Sequence, residues 1–188
     1  HSSHQGGSQE VLRYVNAYLT TEKREQWFTE NHALAPFQLK KMEIQPENAR
    51  PFCTLQFEAD APHLASLSGK RLFVPLDRFL EPLLELPRTE ERVHPVVSHK
   101  TFSCSDTLLL EPPEGFGVES LPFETETFEG PYGQFHYSLS TTPQGEIQML
   151  RRASLQPFEL PAERYGEAVD FFADLRRVEK GKIVLVKE

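Results

Sequence analysis

Between Arg92 and Leu185 apolar residues come in short alternating runs, and each run is stopped by a proline or a glycine-containing turn. That punctuation constrains the fold more than any other feature, because it suits short antiparallel strands and leaves little room for long helices. The firmest unit is 133–155. Phe135, Tyr137 and Leu139 share one parity, Pro143-Gln-Gly145 makes a turn, and Ile147, Met149 and Leu155 alternate on the return, which predicts a hairpin. Gly130-Pro-Tyr-Gly133 is a strong turn before it. At the centre of the region, Leu108 to Pro122 reads as two adjacent antiparallel strands, 107–111 and 117–121, joined across Pro112-Pro113 and a Gly-flanked Phe116.

The rest of the chain follows the same rules. Val11, Leu12, Val15, Tyr18 and Leu19 fall at helical spacing after Ser8, a suitable N-cap, and a second helix is expected over Glu22 to Phe28. Phe37, Leu39, Met42 and Ile44 change parity at Lys40-Lys41, as a β-bulge would make them. Cys53, Leu55, Phe57 and Ala59 alternate as a strand buried on one face, so Cys53 points inward. Ser66 to Gly69 is a turn, Arg71 to Pro75 a short strand, and Phe79 to Pro87 a loop with one helical turn. A run over 92–103 is expected to be extended, and 125–128 is a further candidate strand. After Pro161 the period changes: Tyr165, Ala168, Val169, Phe172 and Leu175 predict a helix that ends at Lys180-Gly-Lys182 and leads into a strand over Ile183 to Val186. The sum is a mainly β protein, an antiparallel β-sandwich with an N-terminal helical segment and one helix near the C-terminus. Residues 1–34 are expected to be linker and helical lead-in, and 35–188 the sandwich. His1 to Gly7 reads as a linker at the boundary of a fragment.

Composition sets limits on function. The 188 residues carry a net charge of −8, with basic doublets only at Lys40-Lys41, Arg151-Arg152 and Arg176-Arg177. Nucleic-acid binding needs a basic stripe, so it is not expected, and each doublet reads as a solvated face. No apolar run is long enough to span a membrane. Cys53 and Cys104 permit one disulfide, which depends on their separation, but no cysteine-based zinc site.

None of the reactive side chains falls into a catalytic pattern. His94 and His99 are five apart, on opposite sides of a strand, and His1 and His4 belong to the expected linker, so no metal or cofactor is expected. Glu124, Glu126 and Glu129 fall in a run that could line a groove, but the shared parity of Glu124 and Glu126 reads more simply as a solvated strand face, and Asp60, Asp77 and Asp106 read as turn caps. Ser103, Ser105 and Ser120 lack a nucleophile elbow. Aromatic residues surround the central turns, and Phe116 and Tyr132, at turn tips, are the candidates for an exposed binding surface.

One resemblance covers Cys53 to Lys187. Arg92…Pro95, Asp106-Thr-Leu-Leu-Leu-Glu-Pro-Pro-Glu-Gly-Phe, Leu121-Pro122, Pro131-Tyr-Gly133, Ile147…Arg151, Leu160-Pro-Ala-Glu-Arg-Tyr165, Phe171 and Lys182-Ile-Val-Leu185 occur in an order. That order resembles the C-terminal domain of unknown function of large bacterial transglutaminase-like proteins, which follows a papain-like core. The resemblance implies a periplasmic or cell-envelope parent and a non-catalytic tail that packs on, or positions substrate for, a Cys-His-Asp core elsewhere in the parent chain. None of that core's catalytic residues maps here. Two alternatives remain: a carbohydrate- or peptide-binding sandwich using Phe116 and Tyr132, and a stand-alone hydrolase using Asp or Glu.

Overall fold

The structure, a computed structural model, describes residues 2–31, 37–62, 64–80, 84–89 and 92–188. Its elements in chain order are β1 (Ser2–Gly6), α1 (Gly7–Tyr18), α2 (Thr21–Asn31), β2 (Gln38–Glu47), β3 (Phe52–Asp60), β4 (Ser66–Ser68), β5 (Arg71–Pro75), β6 (Val96–Ser98), β7 (Phe102–Leu110), β8 (Phe116–Ser120), β9 (Thr125–Gly130), β10 (Gly133–Thr141), β11 (Ile147–Leu155), β12 (Phe158–Leu160), α3 (Tyr165–Glu179) and β13 (Lys182–Lys187). The protein is mainly antiparallel β. Seven strands form one sheet in the order β2-β3-β1-β7-β11-β10-β9, four form a second in the order β4-β5-β13-β8, and β12 pairs with β6.

One face of the large sheet is covered from end to end. Leu139, Ile147 and Met149 pack against Val74, Ile183 and Leu185 of the small sheet, which makes that part a sandwich. Phe135, Tyr137, Ala153 and Leu155 pack against Ala168, Phe172 and Leu175 of α3. Cys53, Leu55 and Ile44 pack against Leu12 and Val15 of α1 and Phe28 of α2. Phe135 and Phe172 are almost wholly buried, and each such side chain contributes about 1.5–3 kcal/mol relative to exposure.

Local chemistry explains the joints. The β10–β11 hairpin runs in unbroken register from Gly133↔Leu155 to Thr141↔Ile147, as the alternation predicts. Gly133 has φ +143, and a Cβ there would lie 1.9 Å from the Ser154 carbonyl oxygen, so only glycine fits. The expected bulge is present, since the β2–β3 register shifts between Leu39 and Lys41. The helix after Pro161 begins as a 3₁₀ turn, Ala162–Arg164, and continues as α3.

Several expectations are corrected. Leu108 to Pro122 is not a hairpin: β7 lies in the large sheet between β1 and β11, whereas β8 pairs with β13 in the small sheet. Both edges of β7 are already occupied, and Pro112-Pro113, which has no N–H to donate, carries the chain across from one sheet to the other. Ser2–Gly6 is not a linker but a strand bonded to β3 and β7, with His4 opposite both Cys53 and Cys104. α1 begins at Gly7, so Ser8 lies inside its first turn. Ser66–Ser68 pairs with β5 before the turn at Gly69. In 92–103 only Val96–Ser98 and the start of β7 are strand. Leu76–Arg78 form a 3₁₀ turn just before the loop expected over 79–87, of which residues 81–83 lie outside the described residues.

Candidate functional site

The second face of the large sheet carries the polar half of each alternation. In antiparallel pairs, residues directly opposite one another project to the same side. The strand registers therefore align one row of side chains across six strands: Thr54 of β3, Ser3 of β1, Ser105 of β7, Arg152 of β11, His136 of β10 and Thr127 of β9. A neighbouring row holds Ser103, Ser154, Gln134 and Glu129. All of these except Thr54 line a groove of about 410 Å³, with Phe52 also on its wall. Five strand spacings of about 4.8 Å make the row about 24 Å long.

Within the groove Thr127 Oγ1 lies 3.1 Å from His136 Nδ1, and Gln134 donates to Glu129 at 2.8 Å. Arg152 is exposed and makes no ion pair among the described residues. The arrangement offers one free guanidinium, one imidazole and several hydroxyl and amide groups. Glu129, held by Gln134, is the one carboxylate in the lining.

The covered face treats charge differently. Arg151 is 1% exposed. Its Nε and a terminal nitrogen both reach Asp106 Oδ2 at 2.6 Å, and its other terminal nitrogen reaches Glu179 Oε1 at 3.0 Å. The Tyr137 hydroxyl also donates to Glu179 Oε1, at 3.0 Å. Burial raises the Glu179 carboxyl above its ordinary value, with Arg151 pulling the other way, and burial raises the Tyr137 hydroxyl well above the usual phenol range. Two carboxylates shared by one guanidinium tie the end of α3 to the middle of the sheet. This network is structural: its members satisfy one another and none has room to meet a substrate.

The side chains named from sequence fall as follows. Tyr132 is 3% exposed, in ring contact with Phe158 and Phe172, and Phe116 is half-buried against the small-sheet core. Tyr132 is thus corrected from exposed turn tip to core, whereas Phe116 keeps part of its ring in solvent: the β9–β10 turn folds its tyrosine back over α3 because the ring is too apolar to leave in water. Arg151, expected on a solvated face, is buried because it shares the parity of Ile147, Met149 and Ala153, while Arg152 is exposed. Asp106 sits in the middle of β7 instead of capping a turn. Glu126 lies half-buried opposite Tyr137, on the other side of the sheet from Glu129. Asp60 pairs with Lys40 at 2.7 Å. His4, expected in a flexible tail, is buried.

Cys53 and Cys104 are both buried and both free thiols. They flank His4 on either side, two strand spacings or about 9–10 Å apart, which exceeds what a disulfide spans. Burial raises the Cys53 thiol above its ordinary value. Among the described residues no group of three His, Cys, Asp or Glu could hold a metal ion, and no helix is long and apolar enough to cross a membrane.

Sequence reasoning missed Arg152 and His136 as neighbours. The parity needed to place them was available in the alternation of 133–155, but the pairing of β7 with β1 and β11, which completes the row, was not.

Comparison with known proteins yields one match. The family model described as "Domain of Unknown Function with solved-structure structure (DUF3858)" matches residues 70–185, more than half of the chain. Neither curated proteins nor solved structures give a significant match. The matched span runs from β5 to β13 and includes Ser105, Thr127, His136 and Arg152, whereas β1, α1, α2, β2, β3 and β4 precede it. The first strands of the large sheet, β1, β2 and β3, lie before the match, and the chain belongs to this family of domains of unknown function.

Proposed function

We propose that the chain is a non-catalytic accessory domain of a bacterial transglutaminase-like protein of the periplasm or cell envelope. It packs on, or positions substrate for, a Cys-His-Asp core carried elsewhere in the parent chain. The ordered motifs from Arg92 to Leu185 support that parentage. The observation that carries the non-catalytic part is the fate of the two thiols: Cys53 and Cys104 sit within paired strands, buried, with no helix opening at either. A nucleophilic thiol needs access and a lowered pKa, and the Cys53 thiol is raised. A stand-alone carboxylate hydrolase would need two converging acids. The groove offers Glu129 alone.

The test is an amidase, protease and transglutaminase assay of the purified chain, alongside binding of the chain to the separately expressed core of its parent. The expected result is no turnover and saturable binding to that core. Turnover by the chain alone that Cys53→Ser or Cys104→Ser abolishes would overturn the proposal.

A further inference from the structure

We infer that the open face of the seven-stranded sheet binds an acidic glycan, with Arg152 holding a sugar carboxylate and the surrounding hydroxyl and amide side chains meeting ring hydroxyls. This goes beyond the accessory reading and holds whether or not the parent is transglutaminase-like. It begins from Arg152, an exposed guanidinium with no ion pair among the described residues, standing mid-row in a groove of about 410 Å³. A planar guanidinium matches a carboxylate with two parallel hydrogen bonds. His136 is its neighbour in register, with Nδ1 close to the Thr127 hydroxyl and Nε2 as the remaining ring nitrogen. Ser105, Ser3 and Gln134 add groups that both donate and accept, which is what a ligand rich in hydroxyls requires.

The same observations rank other ligands lower. A peptide strand recognised by its main chain adds to a sheet edge, but β7, β11 and β10 each have a strand on both sides, so this face offers side chains only. One guanidinium in a chain of net charge −8 does not suit a polyanionic nucleic acid. A row of about 24 Å is far longer than a single phosphate or sulfate ion. A neutral glycan would leave Arg152 unanswered and finds no exposed aromatic platform among the described residues, since Phe52 and Phe128 in the lining are half-buried and Phe135 is buried.

The experiment titrates the whole chain with a neutral oligosaccharide carrying one uronate, with its uncharged methyl ester and with a neutral peptide carrying one glutamate, read by calorimetry and by amide chemical shifts. Saturable binding of the uronate oligosaccharide is expected, weakened about tenfold or more by Arg152→Gln or by methyl esterification, and several-fold by His136→Gln. The perturbed amides should lie on β7, β10 and β11, and melting temperatures of both variants should match that of the unaltered chain, since both side chains project from the open face. The inference is overturned by no saturable binding of the uronate oligosaccharide, by an Arg152→Gln variant that binds equally well, or by the glutamate peptide binding as tightly. A concentration-dependent dimer that Arg152→Gln dissolves would overturn it in favour of self-association.

Discussion

Arg151 and Arg152 are adjacent in sequence and belong to opposite faces of one sheet. Arg151 is enclosed by Asp106, Glu179 and Tyr137 beneath α3, whereas Arg152 projects from the open face into the groove. The period of a strand separates them, but the difference in chemistry comes from what covers each side. The small sheet, α3 and the α1–α2 pair cover one face from end to end, and a charge there must be paired or be costly. On the other face a guanidinium keeps its water and remains available. Identical residues thus take a paired, buried place and an open, solvated one a single position apart.

The largest expected effect would break the covered face. Arg151→Ala leaves two buried carboxylates without their cation and should cost about 3–5 kcal/mol in denaturant unfolding; a loss equal to that of Arg152→Ala would mean the two faces are not distinct. Tyr137→Phe should cost about 1.5–3 kcal/mol by removing the hydroxyl that donates to Glu179, while its neighbour His136→Gln, on the open side, should change stability by about 0.5 kcal/mol or less. Thermal melts of the pair measure that contrast directly.

Glu179 sharpens the comparison through pH. Its carboxyl is raised above the ordinary 4.5 mainly by burial, so the native state holds the proton more tightly than the unfolded chain does. Its protonated form therefore favours folding, and that advantage fades as pH rises from about 4.5 through the native value. The stability of the unaltered chain relative to Glu179→Gln should fall over that rise, and a difference independent of pH would refute the assignment. The smallest effect is chemical. Cys53 and Cys104 should resist a thiol reagent at pH 8 in the native state and react fully in denaturant; rapid native labelling of either would place that thiol outside the covered face.

The family match adds a second division. Residues 70–185 supply β5 to β13 and α3, and β1 joins to them through β7. Ser3 and Thr54, contributed from before the match, extend the polar row that Ser105, Arg152, His136 and Thr127 begin. The N-terminal strands therefore lengthen the open face as well as the core, since Cys53 and Leu55 continue the covered side under α1 and α2.

Sequence alone determined the local states. Alternation named β3, β10 and β11, the shift at Lys40-Lys41 located a bulge, and the three-and-four spacing after Pro161 located α3, because these follow from periodicity and turn chemistry within a few residues. Only the tertiary structure decided which strands pair. The two strands flanking Pro112-Pro113 look like a hairpin in one dimension, but β8 finds its partner in β13, more than sixty residues away. The same long-range pairing inserts Ser2–Gly6 between β3 and β7, buries Tyr132 and Arg151, and brings Arg152 and His136 into line with Ser105 and Ser3. Period dictates which side a residue takes; the cover supplied by distant segments dictates whether that side is core or surface.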